Sequence, residues 1–107
     1  MLIFCCVKRY NDAPRAGRPM YGSIYPAVQT LCLAARAYGL GTSITGLHHI
    51  FGDEINKLLG VPPEYANEVM VPMGYPRGRW DRQARKAAHQ VTFFEHWGNC
   101  PVPYETP

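Results

Sequence analysis

The sequence lacks a long hydrophobic run. The apolar segment at residues 1–7 is ended by Lys8 and Arg9, which is too early for the hydrophobic region of a signal peptide or for a membrane span. The net charge is also small, +3 with histidine neutral, and by itself does not indicate nucleic-acid binding. We therefore expect a cytoplasmic protein that contacts neither a membrane nor a nucleic acid.

The spacing of the cysteines is unfavourable for a metal site or a disulfide framework. The chain has four cysteines, at positions 5, 6, 32 and 100, without a Cys-x-x-Cys spacing. Cys5 and Cys6 are adjacent, so their side chains would point to opposite faces of a strand. We expect buried free thiols, and neither a structural zinc site nor a set of disulfides.

Histidine and carboxylate residues form no recognisable catalytic or metal-binding group. His48 and His49 are adjacent and should diverge on any regular element. His49 and Asp53 could share one face of a helix, but a metal site needs three or four ligands. We interpret His49 as a surface or capping residue, and no Ser/His/Asp arrangement has local support.

What the sequence does contain is a strand-like segment followed by a helical one. The 107 residues have the length of one domain. Residues 2–7 are continuously apolar and predict a strand that is covered on both faces. Apolar residues at helical spacing from Ile24 to Tyr38 predict a long helix that is buried on most sides, with Tyr38 in the core. Ser23 is the expected N-cap of this helix, and Gly39 should end it.

A second helix is predicted to open at Asp53, because acidic residues favour the first turn, and to end at Gly60. Its inner face should consist of Ile55, Leu58 and Leu59. Residues 68–75 predict a further strand, which should lie at a sheet edge or carry a bulge because Pro72 cannot donate to a ladder.

The remaining segments are less regular. Residues 8–22 predict a loop, and residues 76–88 are basic and irregular. Residues 89–95 predict a last strand. The tail over residues 99–107 is expected to be loose.

A glycine-rich loop follows the first helix. Glycine allows backbone N–H groups to approach a ligand closely, because no Cβ intervenes. Free amides at the edge of a helix suit a hydrogen-bond acceptor such as a phosphate or a heteroaromatic ring. The alternative interpretation of residues 39–46 is an ordinary helix C-cap.

A basic arm over residues 77–86 contains five positive charges and one negative charge. Arginine binds phosphate oxygens through its planar fork, so the arm could hold a phosphorylated cofactor. Two alternatives remain: a solvated loop that keeps the protein soluble, or a nucleic-acid arm in which Trp80 stacks on a base.

Four segments of the sequence resemble segments of the FMN-dependent nitroreductase family and follow one another in the same order as in that family. Residues 23–42 resemble the family's long central helix and the loop that follows it. Leu58-Leu59-Gly60-Val61-Pro62 resembles a short helix end, and Met73-Gly74-Tyr75-Pro76 resembles the Gly-Tyr-Pro end of a strand. Arg85-Lys86, followed at a distance by His96-Trp97-Gly98, resembles the C-terminal basic pair and closing Trp-Gly. The resemblance covers about residues 1–98, which we treat as one truncated nitroreductase-like domain.

The resemblance implies an α+β fold in which a mostly antiparallel sheet packs on a long central helix. It also implies an intertwined homodimer with FMN at the dimer interface. The isoalloxazine ring would lie beside Ile44, Thr45 and Gly46, and the amides of Thr45 and Gly46 would face its N5 and O4 edge. A donor at N5 tunes the hydride chemistry, which the flavin itself performs.

The resemblance assigns the FMN phosphate to Arg85, with Arg82 or Lys86 as helpers. The family's Arg-rich, Ser-containing N-terminal segment also contacts FMN, and the resemblance implies that it lies far upstream of the glycine-rich loop, before the first residue of this sequence. The sequence is therefore expected to correspond to the C-terminal half of a family member.

Two functions follow from the resemblance. The first is an FMN-dependent oxidoreductase that transfers electrons from NAD(P)H to a small acceptor. The second is a non-catalytic remnant that binds or stores flavin, or serves as a scaffold. In either case we expect a homodimer or higher oligomer, because the apolar faces of residues 2–7 and 24–38 would otherwise lack cover.

Overall fold

The strand predicted at the start of the chain is present, and β1 spans Leu2–Lys8. The computed structural model describes residues 1–9, 22–79 and 81–100. After β1 come helix α1 (Tyr25–Ala37), strand β2 (Gly41–Thr42), a 3₁₀ helix (Leu47–Phe51), helix α2 (Gly52–Leu59), strand β3 (Tyr65–Gly74) and a short second 3₁₀ helix (Ala88–Gln90). These described elements confirm the α+β class, with a three-stranded antiparallel sheet and two α-helices.

β3 is the central strand of the sheet, in the order β1–β3–β2. The prediction that it lies at an edge is therefore wrong. Every residue of β1 pairs with β3, in antiparallel orientation. β3 also carries an irregularity, at Glu68 rather than at the proline: Cys5 lies opposite Val69 and Cys6 opposite Asn67, which leaves Glu68 without a counterpart. Such an extra residue is a β-bulge.

Pro72 is accommodated in the central strand because the ladder with β2 is interrupted beside it. The N and C=O of one residue in an antiparallel strand point to the same side. The Pro72 carbonyl accepts a hydrogen bond from the Ser43 amide at 3.2 Å, so the missing N–H also faces the β2 side. Regular pairing with β2 covers only two residues, and an isolated bridge follows between Thr45 and Met70.

α1 has 13 residues and is not the long, mostly buried helix that the sequence predicts. Val28 and Ala35 are its buried residues, whereas Leu33 is 62% exposed and Tyr38, expected in the core, is 83% exposed. The reason is geometric: one three-stranded sheet covers one face of a helix, and the apolar residues on the other faces stay at the surface.

The C-terminal end of α1 follows the prediction, and the N-terminal end does not. Gly39 has a positive φ of 75°, and the amides of Gly39 and Leu40 donate to carbonyls of the last turn at 3.0 and 2.9 Å. This is the Schellman arrangement that glycine permits. The N-cap is Ile24 rather than Ser23, and no side-chain cap bond forms. Pro26 in the first turn already removes one of the donors that a cap would satisfy.

α2 begins at Gly52, one residue before the predicted start, and is followed by Gly60 with a φ of 65°, as predicted. Its predicted inner face is wrong. Ile55 is half-buried, Leu58 is 84% exposed and Leu59 is 47% exposed. The amphipathic pattern is real, but no described element covers this face.

The strand predicted over residues 89–95 is also wrong. The segment contains the end of the second 3₁₀ helix and is otherwise irregular, and Val91 and Phe94 are both 56% exposed. Residues 10–21 of the predicted loop and residues 101–107 of the predicted tail lie outside the described residues.

The core is small. Val28, Val69 and Val71 are at most 1% exposed. Half-buried residues of β1 and α1 pack around them, namely Ile3, Cys5, Ile24, Leu31 and Cys32. β1 is thus half-buried rather than covered on both faces, because one α-helix packs on the described sheet. None of the helices in the described ranges has the length and apolar character needed to cross a bilayer.

The valine cluster predicts where the fold is most sensitive to substitution. Val71→Ala removes two fully buried methyl groups and should lower the free energy of unfolding by about 2 kcal/mol. Leu33→Ala removes more volume from an exposed position and should change it by less than about 0.5 kcal/mol. Urea denaturation followed by circular dichroism measures both, and equal losses would contradict the assignment of the core.

Candidate functional site

The loop after β2 is fixed to the central strand by one bridge. The Thr45 amide donates to the Met70 carbonyl and the Met70 amide donates to the Thr45 carbonyl, both at 3.0 Å. The Thr45 hydroxyl also accepts a bond from the Leu47 amide at 3.2 Å. Thr45 is therefore held through its backbone on one side and its side chain on the other.

Because of this bridge, the amides of Thr45 and Gly46, both expected to bind a ligand, differ in their availability. The Thr45 amide is already bonded to Met70. The Gly46 amide has no acceptor within the described part of the chain, and Gly46 is exposed, as is its neighbour Ile44. Of the two expected donors, Gly46 is the one that the loop presents to an incoming acceptor atom.

His49 lies close to Gly46, so a side chain at position 46 would meet its ring. A Cβ at position 46 would lie 3.2 Å from Cδ2 of the His49 ring, which is tighter than ordinary contact. The His49 amide donates to the Gly46 carbonyl at 3.0 Å, so the ring and the loop belong to one turn.

The adjacent histidines do not diverge, contrary to the sequence-based expectation. Their ring centroids are 4.1 Å apart, and the rings are tilted by 34°. Nε2 of His48 lies 3.0 Å from the Asn67 carbonyl oxygen, and Nε2 of His49 lies 3.0 Å from the Glu68 carbonyl oxygen. Since a carbonyl only accepts, both Nε2 atoms carry a proton. The 3₁₀ geometry and the bulge at Glu68 bring both rings to consecutive carbonyls.

His48 was not identified from the sequence as a structural residue. It is 3% exposed, and its ring meets that of Phe4 edge-on at 5.8 Å. Its Nδ1 and the Oδ1 of Asn67 are buried without a hydrogen-bond partner in the described chain. The His-His pair was the available signal, but only the tertiary fold shows which ring is inside. No group of three metal-ligating side chains occurs among the described residues.

Glu68 connects three elements at the bulge. Its carbonyl accepts from His49, and its carboxylate accepts a bond from the Tyr25 hydroxyl at 3.4 Å. Partial burial, followed by the nearby Glu68 charge and this hydrogen bond, raises the pKa of Tyr25. The tyrosine therefore remains a donor through the neutral pH range, and α1 stays attached to the same point of β3 that the imidazole contacts.

The basic arm lies on the surface. Arg82, Arg85 and Lys86 are exposed, and none forms an ion pair within the described residues. The Arg82 amide donates to the carboxylate of Asp81 at 2.6 Å, a bond that does not involve the guanidinium. No described hydrogen bond joins the arm to the loop at residues 44–46. Trp80, the candidate for base stacking, lies outside the described residues.

A separate cavity of about 680 Å³ opens at the end of the sheet. Its walls are the C-terminal half of α1, the residues of β2 and the end of β3, and its charged residues are Arg36 and Asp81. The cavity reaches Ser43 but contains none of the predicted site residues. Its size is that of a site for a small ligand.

The four cysteines are free, and they differ in exposure: Cys100 is exposed and the other three are half-buried. Burial raises the pKa of Cys5, with a further contribution from Cys6 and Cys32, and burial also raises the pKa of Cys6. The thiols are free, as expected, but none of them is buried outright; Cys5, Cys6 and Cys32 are partly shielded.

These environments predict an order of thiol reactivity. The thiolate is the reactive form, so a raised pKa leaves less of it at pH 8. Iodoacetamide at pH 8 should label Cys100 first, and Cys5 and Cys6 at least about tenfold more slowly. Peptide mass spectrometry over a time course measures the order, and labelling in urea serves as the control in which the differences should vanish. Equal rates in the native protein would contradict the prediction.

Comparison with known families places most of the described fold in one of them. The nitroreductase family model matches residues 1–75. The match contains every strand of the sheet, both α-helices and the loop at residues 44–46. The basic arm and the Trp-Gly segment lie beyond it, so the roles of Arg82, Arg85 and Lys86 remain predictions. The resemblance inferred from the sequence is confirmed, and the chain belongs to the nitroreductase family.

Proposed function

We propose that this protein is an FMN-dependent oxidoreductase that passes electrons from NAD(P)H to a small acceptor. The observation that carries the proposal is the exposed Gly46 amide, which the Thr45–Met70 bridge holds in place within the family-matched region. Bound FMN would supply the hydride chemistry, and the protein would supply binding, orientation and hydrogen bonds.

The loop suits the edge of a flavin ring. That edge accepts hydrogen bonds, and Gly46 offers a donor that no described group occupies. Ile44, 47% exposed, offers an apolar side chain next to it for the ring face. Because Thr45 is bonded to Met70, the loop presents its donor without having to reorganise first. A donor that is already fixed interacts more strongly with developing charge than one that must be ordered.

The basic arm suits the phosphate end of FMN. A phosphate monoester is anionic at neutral pH, and charge-assisted hydrogen bonds to it are worth about 1.5–3 kcal/mol each. We assign Arg85 to this end, with Arg82 or Lys86 as helpers. Their exposure and lack of described ion pairs support the assignment, because such charges need not break another contact to bind.

We further propose that the active form is a homodimer or higher oligomer. Large apolar side chains are exposed on several elements, including Leu33, Phe51 and Leu58 at 62%, 60% and 84%. Exposed apolar surface of this kind favours association. We place the protein in the cytoplasm, since all four cysteines are free.

A second function is favoured by one observation. The Thr45 amide is occupied by Met70, so the loop presents one of its two expected donors. A site with a single donor could retain FMN without supporting turnover. The protein would then bind or store flavin, or serve as a scaffold.

Flavin binding by the purified chain tests the proposal. FMN fluorescence should be quenched on titration with the protein, and NADH or NADPH should then be oxidised in the presence of a quinone or nitroaromatic acceptor. Binding without oxidation of either nucleotide would favour the second function. Absence of binding by the wild-type protein at millimolar FMN would overturn the oxidoreductase and the flavin-binding role, and would leave the scaffold role.

If Arg85 binds the FMN phosphate, substitutions within the basic arm should differ in their effect on FMN affinity. Arg85→Ala should weaken FMN binding about 10- to 100-fold, since it removes one charge-assisted contact. Arg77→Ala, from the same exposed arm, is the matched control and should change the dissociation constant less than about threefold. Equal losses in the two variants would indicate a general effect of charge and would contradict a specific role for Arg85.

A further inference from the structure

We infer that His49 is a positioning residue, which fixes the Gly46 amide in the orientation needed for a ligand acceptor atom. The inference rests on the proposed function for its ligand, FMN. The role belongs to His49 rather than to the loop alone, because this one residue contacts both the loop and the central strand. His49 would not touch the reacting atoms and would act through Gly46.

His49 holds the loop from two directions. Its amide donates to the Gly46 carbonyl at 3.0 Å, and its Nε2–H donates to the Glu68 carbonyl at 3.0 Å. The peptide plane that follows Gly46 is therefore tied, through one residue, to β3. On the other side of Gly46, the Thr45–Met70 bridge ties the preceding residue to the same strand. The Gly46 N–H belongs to the same planar peptide unit as the Thr45 carbonyl, which accepts from Met70, and His49 holds the peptide unit that follows, so the two attachments fix both sides of the Gly46 Cα.

The ring also limits the space at Gly46. A Cβ there would lie 3.2 Å from the ring carbon Cδ2 of His49. The imidazole thus occupies the side from which the loop could otherwise collapse toward β3. This contact makes glycine the residue that allows the ring and the loop to lie so close together.

The neighbouring histidine supports the ring from the inside. His48 is buried, donates to the Asn67 carbonyl and lies 4.1 Å from the His49 ring centroid. Consecutive carbonyls of a regular strand point to opposite sides. The bulge at Glu68 changes this, so that both carbonyls accept from the adjacent rings. The orientation of His49 is therefore set by β3 and by His48 together.

A purely structural role fits His49 less well. Its side chain is exposed, and its bond to β3 lies at the surface. Loss of the ring should therefore leave the small valine core intact. The effect should be confined to the loop, which makes a positioning role separable from a contribution to global stability.

The test compares His49→Ala with His49→Gln, whose side-chain amide can still donate to the Glu68 carbonyl. Ile50→Ala is the matched control, since Ile50 is the next residue of the same 3₁₀ helix and is 71% exposed. His49→Ala should raise the FMN dissociation constant about tenfold, His49→Gln should restore part of the loss, and Ile50→Ala should have little effect. The urea midpoint should be similar in all of them.

A readout without flavin separates this inference from the proposed function. In the protein without FMN, His49→Ala should shift the Gly46 amide resonance and speed hydrogen exchange at Thr45, whereas His49→Gln should do so less. Unchanged Gly46 and Thr45 signals would overturn the positioning role, even if FMN binds. Changed signals with unaltered FMN affinity would overturn its relevance to the ligand. Failure of the wild-type protein to bind FMN would overturn the proposed function, and this inference with it.

A double-mutant cycle tests the contact between ring and glycine. Gly46→Ala should weaken FMN binding in the wild-type background, because the new Cβ meets the ring. In the His49→Ala background the same substitution should cost less, since the ring is gone. Additive effects would show that the two positions act independently and would contradict the contact as the source of the positioning.

Discussion

The pair of hydrogen bonds between Thr45 and Met70 determines the geometry of the candidate site. It is the only point at which residues 43–46 rejoin β3 by a bonded pair in the described chain, and it follows the gap at Pro72. The proline cannot donate, so the ladder opens beside it; the bridge then closes the ladder again. Ser43 and Thr45 each bond to β3, and the amide just beyond them, that of Gly46, has no acceptor among the described residues.

The bulge at Glu68 complements this bridge on the same strand. It gives β3 an extra residue, through which His49 and Tyr25 contact one position from two different elements. Backbone bonds at the bridge and side-chain bonds at the bulge thus bracket the loop. Neither the bridge nor the bulge depends on a large hydrophobic core. Among the described residues the core is small, because its fully buried side chains are valines.

Local signals in the sequence predicted local structure well. Gly39 and Gly60 end their helices with positive φ, because that conformation is favoured by glycine whatever surrounds it. The strand at residues 2–7 was also clear from its composition. These features depend on a few neighbouring residues, and so they can be inferred without knowing the rest of the fold.

The errors concern contacts between distant segments. The position of β3 at the centre depends on what β1 and β2 do, and Pro72 alone indicated an edge or a bulge without deciding between them. The periodicity of residues 24–38 and 53–59 identified helices but could not tell how many faces a small sheet would cover. The orientation of the two imidazoles depends on a bulge in a strand 19 residues away in sequence. No pattern around His48 and His49 contains that information.

In the candidate site, too, the sequence predicts the local features but not the contacts between distant segments. Its loop was found from glycine and small residues, but which amide is free follows from the tertiary pairing of Thr45 with Met70. This pairing uses backbone atoms, and the Thr45 hydroxyl adds a bond from the Leu47 amide. At Gly46, the His49 ring limits the space for a side chain. The loop therefore owes its position to the strand beneath it and to His49, and the residue at which a Cβ would meet the His49 ring is the one that presents the donor.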